Sequence, residues 1–110
     1  MPRLFPIVFL ATLFLPIGTA ISASPSQERQ ALLLHRLKHD CGSCHGMTMK
    51  GGLGPSLRPA ALAGKSDEAL AVIIIRGLPG TPMPPWAFEI ERSEALWLVH
   101  WLRRGEKNER

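Results

Sequence analysis

The amino-acid sequence predicts a small all-α domain, and three observations lead there. Three segments carry apolar residues at helical spacing between recognisable caps. No segment alternates apolar and polar residues as a half-buried strand does. The two long connections, 46–65 and 77–92, are rich in glycine and proline. Ordered loops of that length need something rigid to wrap around, so the same pattern predicts a bound cofactor. With 110 residues the chain has room for one such domain.

The domain is expected to begin after an export signal. Met1-Pro2-Arg3 gives a positively charged start, and the 14 residues that follow, LFPIVFLATLFLPI, carry no charge. Small residues come next, with Ala20 and Ala23 as cleavage positions. This order is that of a secretory signal peptide over 1–23, leaving a domain over 24–110. The apolar run is too short to span a bilayer, which takes about 20 residues, so cleavage with no membrane attachment is the expectation, and an uncleaved anchor is its alternative. Removing 1–23 takes away one arginine and no acid, which lowers the formal charge from +4 to +3. That mild surplus forms no basic stripe, which excludes nucleic acid as a partner.

The first helix is predicted from about Pro25 to Asp40, with Ser24 as its cap, Pro25 in the first turn and Gln27 completing a capping box. The second runs from about Asp67 to Arg76. Ser66 caps it, Asp67 and Glu68 suit its positive end, and Gly77 stops it. Val72-Ile73-Ile74-Ile75 alone would also suit a strand, and the caps decide for helix. The third is expected from Glu94 to Arg104, capped by Ser93 and ended by Gly105. It is apolar nearly all round, so it should be covered on most sides.

Chemistry concentrates in Cys41-Gly42-Ser43-Cys44-His45, the C-x-x-C-H pattern of covalent haem c attachment. Two thiols at this spacing add to the two vinyl groups on one porphyrin edge, and the adjoining histidine reaches the iron. Zinc would need two more ligands, and a redox dithiol a βαβ setting, neither of which appears. A disulfide between Cys41 and Cys44 would close too small a loop to stabilise the chain much. Met47 and Met49 lie too close to His45 to reach the iron's other face and are expected to pack in the loop. His35 and His39 are expected at helix surfaces or ends, and His100, among apolar neighbours in the last helix, as a packed or partly exposed core histidine. Met83 lies 38 residues after His45 in GLPGTPMPPW, where prolines 79, 82, 84 and 85 stiffen the loop. It is the expected sixth ligand.

CGSCHG, then GGLGPSL, then GTPMPPW before a capped final helix, resemble class I c-type cytochromes, and among them the denitrification-associated cytochrome c-55X (NirC-type) family. The resemblance runs from about Arg29 to Gly105. It implies a fold whose first and last helices cross beside the haem, with Leu37 and Trp101 at the two positions where the family has aromatic residues. It further implies that the Pro55 carbonyl accepts the His45 N–H, and that Arg76 and Trp86 contact the haem propionates.

A His45/Met83 iron has no position left for substrate, and methionine ligation raises its potential, so one-electron transfer is expected rather than catalysis. A haem enzyme such as a peroxidase would need the methionine displaced. The resemblance implies a monomeric periplasmic carrier serving the cytochrome cd1 nitrite reductase, or alternatively a factor in that enzyme's maturation.

Overall fold

The computed structural model describes residues 1–2, 6, 11–18 and 24–105. Ala20, Ala23 and the tail after Gly105 lie outside the described residues, as does much of the leader. Among the described residues no helix is long and apolar enough to cross a membrane.

The secondary structure of the described residues is helical, without strands. Helix α1 spans Gln27–Arg36 and passes without interruption into a π-helical turn, Leu37–Cys41, and then a single turn α2, Gly42–His45. The short α3, Pro59–Leu62, precedes α4, Asp67–Arg76, and α5, Arg92–Arg104, closes the domain.

The second helix has the expected bounds, and its cap is made as expected: the Ala69 N–H donates to Ser66 Oγ at 3.1 Å. The first helix starts later than expected and ends later too. Its cap is Ser26 rather than Ser24, with the Arg29 N–H donating to Ser26 Oγ at 3.2 Å. Gln27 therefore stands at the first helical position instead of closing a capping box, and the Gln30 amide donates to the Pro25 carbonyl at 2.9 Å. At the other end helical structure continues through the cysteine pair, because the Gly42 N–H reaches back to the Leu37 carbonyl across the wider turn.

The third helix starts two residues early. Glu91, not Ser93, is its cap, in a reciprocal box with Glu94, whose Oε1 accepts the Glu91 N–H at 3.0 Å. Gly105 ends it in the left-handed conformation expected of that position. Segment 46–65, read as loop throughout, contains α3, which Pro59 starts at its first position.

The core is one cluster, with Leu33, Leu37, Met49, Leu62, Ala71, Ile90, Ala95, Leu98 and Leu102 buried and Trp86, Trp97 and Trp101 packed against it. Each fully buried leucine contributes about 1.5–3 kcal/mol. Met49 is in this core, as expected of a packing residue, while Met47 is exposed. Leu37 and Trp101 meet the same cluster, and Trp101 stacks on Trp97 with ring centroids 5.8 Å apart.

The first and last helices are tied by charge as well as packing. The Arg29 guanidinium donates to both carboxylate oxygens of the buried Glu94 and to the Glu89 carbonyl. Hydrogen bonding from Arg29 holds the Glu94 carboxyl below its ordinary 4.5. A second tie joins α5 to α4, where Arg103 donates to Asp67 and to the Leu62 carbonyl. His100 is exposed at the surface rather than packed, with Nε2 3.0 Å from Asp67 Oδ2.

Candidate functional site

The π-turn and α2 carry the three residues of the attachment motif on successive helical turns. Cys41 and Cys44 are both free thiols and both half-buried. Burial, helped by the charge of Asp40, pushes the Cys41 thiol up to about 11.

His45 is held from two sides. Its Nδ1 lies 2.6 Å from the Pro55 carbonyl oxygen. A carbonyl only accepts, so Nδ1 carries the proton, and Nε2 is left with its lone pair for a metal. On the ring's flank lies Gly54, where an added Cβ would stand 2.8 Å from Cε1 and 2.9 Å from Nδ1. Only a residue without a side chain lets the backbone approach an imidazole so closely. The loop that delivers Gly54 and Pro55 is pinned to α2: the Gly54 N–H donates to the Cys44 carbonyl and the Gly51 N–H to the His45 carbonyl, each at 2.8 Å.

Met83 is half-buried in the loop that follows α4, and the loop is closed by its own hydrogen bonds. The Leu78 N–H donates to the Met83 carbonyl at 3.2 Å, and the Met83 N–H to Thr81 Oγ1 at 3.3 Å. Thr81 Oγ1 donates in turn to the Leu78 carbonyl at 2.6 Å. After Met83 the chain docks on the end of α4, with the Trp86 and Ala87 N–H groups donating to the Ile74 and Ile75 carbonyls. Those are carbonyls that a helix end otherwise leaves without partners. Gly77, at φ 69°, makes the close turn possible, since a Cβ there would stand 2.7 Å from the Met83 carbonyl oxygen.

Arg76 is the exposed last residue of α4, and its side chain makes no hydrogen bond or ion pair among the described residues. Trp86, half-buried, stacks on the exposed Phe88 with centroids 5.7 Å apart. Backbone pairing with Ile74 sets Trp86 beside the end of α4 that carries Arg76. The structure thus brings Cys41, Cys44, His45 and Pro55 together in one unit, and Met83, Arg76 and Trp86 in another.

In the sequence Gly77 reads only as a helix stop, Gly54 only as the neighbour of Pro55, and Thr81 carries no signal, whereas in the structure these residues place the ring and the thioether. The dense glycine spacing of GGLG was the available signal for Gly54. Sequence reading passed over the Arg29–Glu94 pair, for which an acid inside an apolar helix was the only hint.

The donor set fits a covalently held haem: two reduced thiols on neighbouring turns, an imidazole with its tautomer fixed, and a thioether on a stiff loop. The sequence family described as cytochrome C oxidase, cbb3-type, subunit III matches residues 33–102. The chain is 48% identical over 91 residues to cytochrome c55X of Pseudomonas aeruginosa, covering 83% of this chain and 76% of that one. It is 44% identical over 94 residues to cytochrome c55X of Paracoccus denitrificans, covering 86% and 91%. A solved structure, the c-type cytochrome NirC, superposes with a TM-score of 0.73 at 52% identity, over 74% of this chain and 96% of that one.

Proposed function

This chain belongs to the cytochrome c55X family of c-type cytochromes, and on that premise we propose that it is an exported one-electron carrier whose iron is held by His45 and Met83. Its cofactor is a covalently bound haem c, with Cys41 and Cys44 as the attachment cysteines. When bound, that group supplies a single electron by cycling between ferric and ferrous iron.

The observation that carries the ligand assignment is the 2.6 Å contact between His45 Nδ1 and the Pro55 carbonyl. It leaves Nε2 as a neutral, oriented donor and raises its basicity. Met83 is the thioether whose loop is fixed in advance by Thr81, Gly77 and the docking of Trp86, so little conformational freedom is lost on ligation. Arg76 and Trp86 are the propionate contacts in this reading, since the Arg76 guanidinium has no partner among the described residues and the Trp86 backbone is bound to the end of α4 that carries it.

With His45 and Met83 both holding the iron, no position would be left for substrate, so electron transfer rather than catalysis is the reading. The leader over 1–23 is cleaved on export and the domain over 24–110 works in the periplasm as a monomer. Its partners are redox proteins, and the family's denitrification setting points to the cytochrome cd1 nitrite reductase as acceptor. Mixing the reduced protein with purified, oxidised nitrite reductase in a stopped-flow instrument tests this. Rapid oxidation of the carrier with matching reduction of the enzyme is expected. Complex formation without electron transfer would instead favour a role in maturation of the reductase.

A further inference from the structure

We propose that His35 and His39 form a surface site for a divalent transition-metal ion, copper(II) ahead of nickel(II) and zinc(II). The two residues stand four apart, on the last turn of α1 and in the π-turn that follows it. Both are exposed, and their ring centroids lie 4.4 Å apart with the planes tilted by 45°. Neither ring hydrogen-bonds or ion-pairs with another described residue, in contrast to His45 and His100, which are engaged by Pro55 and Asp67.

The helical geometry favours chelation. Four residues of an α-helix overshoot one turn by about 40°. The π-turn that carries His39 has more residues per turn, which lessens that overshoot and brings the second imidazole more directly over the first. Metal–imidazole bonds are about 2.0–2.1 Å, so two rings at this separation can direct one nitrogen each at a shared ion.

Charge does not oppose the site strongly, because the adjacent Arg36 is paired with Asp40 and Glu89. Imidazole suits copper, nickel and zinc, and the order of affinity follows the general divalent series. No group of three or more metal-ligating side chains converges among the described residues, so water completes the coordination. The ion is therefore exchangeable, a two-point chelate rather than a closed structural site. It would sit beside the turn that begins haem attachment, two residues before Cys41. This inference does not depend on the axial ligands of the haem.

The test is calorimetric titration of the holoprotein with copper(II) chloride, with amide NMR spectra recorded in parallel. One saturable site is expected, and paramagnetic broadening should centre on residues 35–39. Affinity should fall by about 10–100-fold in H35Q and in H39Q, because each loses the chelate, and should be unchanged in H100Q. The haem absorption spectrum should stay constant throughout, which separates this site from His45. Wild-type affinity in either H35Q or H39Q, broadening centred elsewhere, or no saturable binding would overturn the proposal. H35Q alone suffices should the change at His39 disturb the attachment turn.

Discussion

Gly54→Ala tests the proximal side of the site with a single methyl group. The added Cβ would stand 2.8 Å from His45 Cε1, 2.9 Å from Nδ1 and 3.3 Å from Nε2, where ordinary contact begins at 3.4 Å. The shortfall at Cε1 is 0.6 Å, that is 3.4 less 2.8. Gly54 is not among the positive-φ glycines, so backbone strain adds nothing, and the effect is steric. Its N–H is bound to the Cys44 carbonyl at 2.8 Å and its own carbonyl accepts from Gly52 at 2.9 Å, so the imidazole must give way rather than the loop. A ring displaced by that shortfall along the Pro55 contact would stretch it from 2.6 Å to about 3.2 Å, the weak edge of hydrogen-bonding range.

Overpacking of this kind costs about 1–3 kcal/mol. A weaker Nδ1–H bond makes the imidazole a poorer donor to ferric iron, so the reduction potential should rise. The assay is urea denaturation and potentiometry on the holoprotein, with Gly64→Ala as control, because a Cβ at Gly64 meets nothing within 4 Å. The control should be neutral or slightly stabilised. A Gly54→Ala protein with the wild-type denaturation midpoint and potential would refute this account of how His45 is held.

Met83→Ala should open the iron to added cyanide or imidazole and lower the potential, and an unchanged absorption spectrum would exclude Met83 as ligand. Thr81→Val removes the hydroxyl that accepts from the Met83 N–H, so exogenous ligands should compete more readily than in the wild type; equal competition would mean the loop is fixed by other contacts. Arg29→Ala should cost about 1.5–3 kcal/mol by leaving the buried Glu94 carboxylate without its charged donor, measured by thermal or urea unfolding. Because the folded Glu94 carboxyl is held below 4.5, its contribution is present above that pH and is lost as the pH falls through the folded value. The Arg29→Ala protein should therefore lose less stability than the wild type on acidification below 4.5, and equal losses would contradict the pairing.

What the chain states locally is legible in its sequence. The Ser66 cap, the acids behind it and Gly77 define α4 within the chain itself, and both bounds agree with the structure. C-x-x-C-H is likewise a local pattern, so attachment could be read from five residues. The departures arise where a distant residue decides. Ser24 and Ser93 are good caps in isolation, but Ser26 and Glu91 take that role, and Glu94, which closes the second cap, is also the residue that Arg29 of the first helix pairs with. The continuation of helix through Cys41–His45 depends on a hydrogen bond from Gly42 to Leu37 across a π-turn, for which the residue pattern carries no sign. The positioning roles of Gly54 and Gly77 were hidden for a related reason. Each follows from contact with a segment brought close by the fold, His45 in one case and Met83 to Pro85 in the other.

The proposed haem iron is closed on both sides by His45 and Met83 and works as a carrier. The most direct measurement is the far-red absorption of the purified ferric holoprotein, taken with its mass. One covalent haem, a six-coordinate low-spin spectrum with the methionine-to-iron band present, and loss of that band in Met83→Ala are expected. A high-spin, five-coordinate spectrum, or a band that survives the Met83 substitution, would contradict the His45/Met83 ligation.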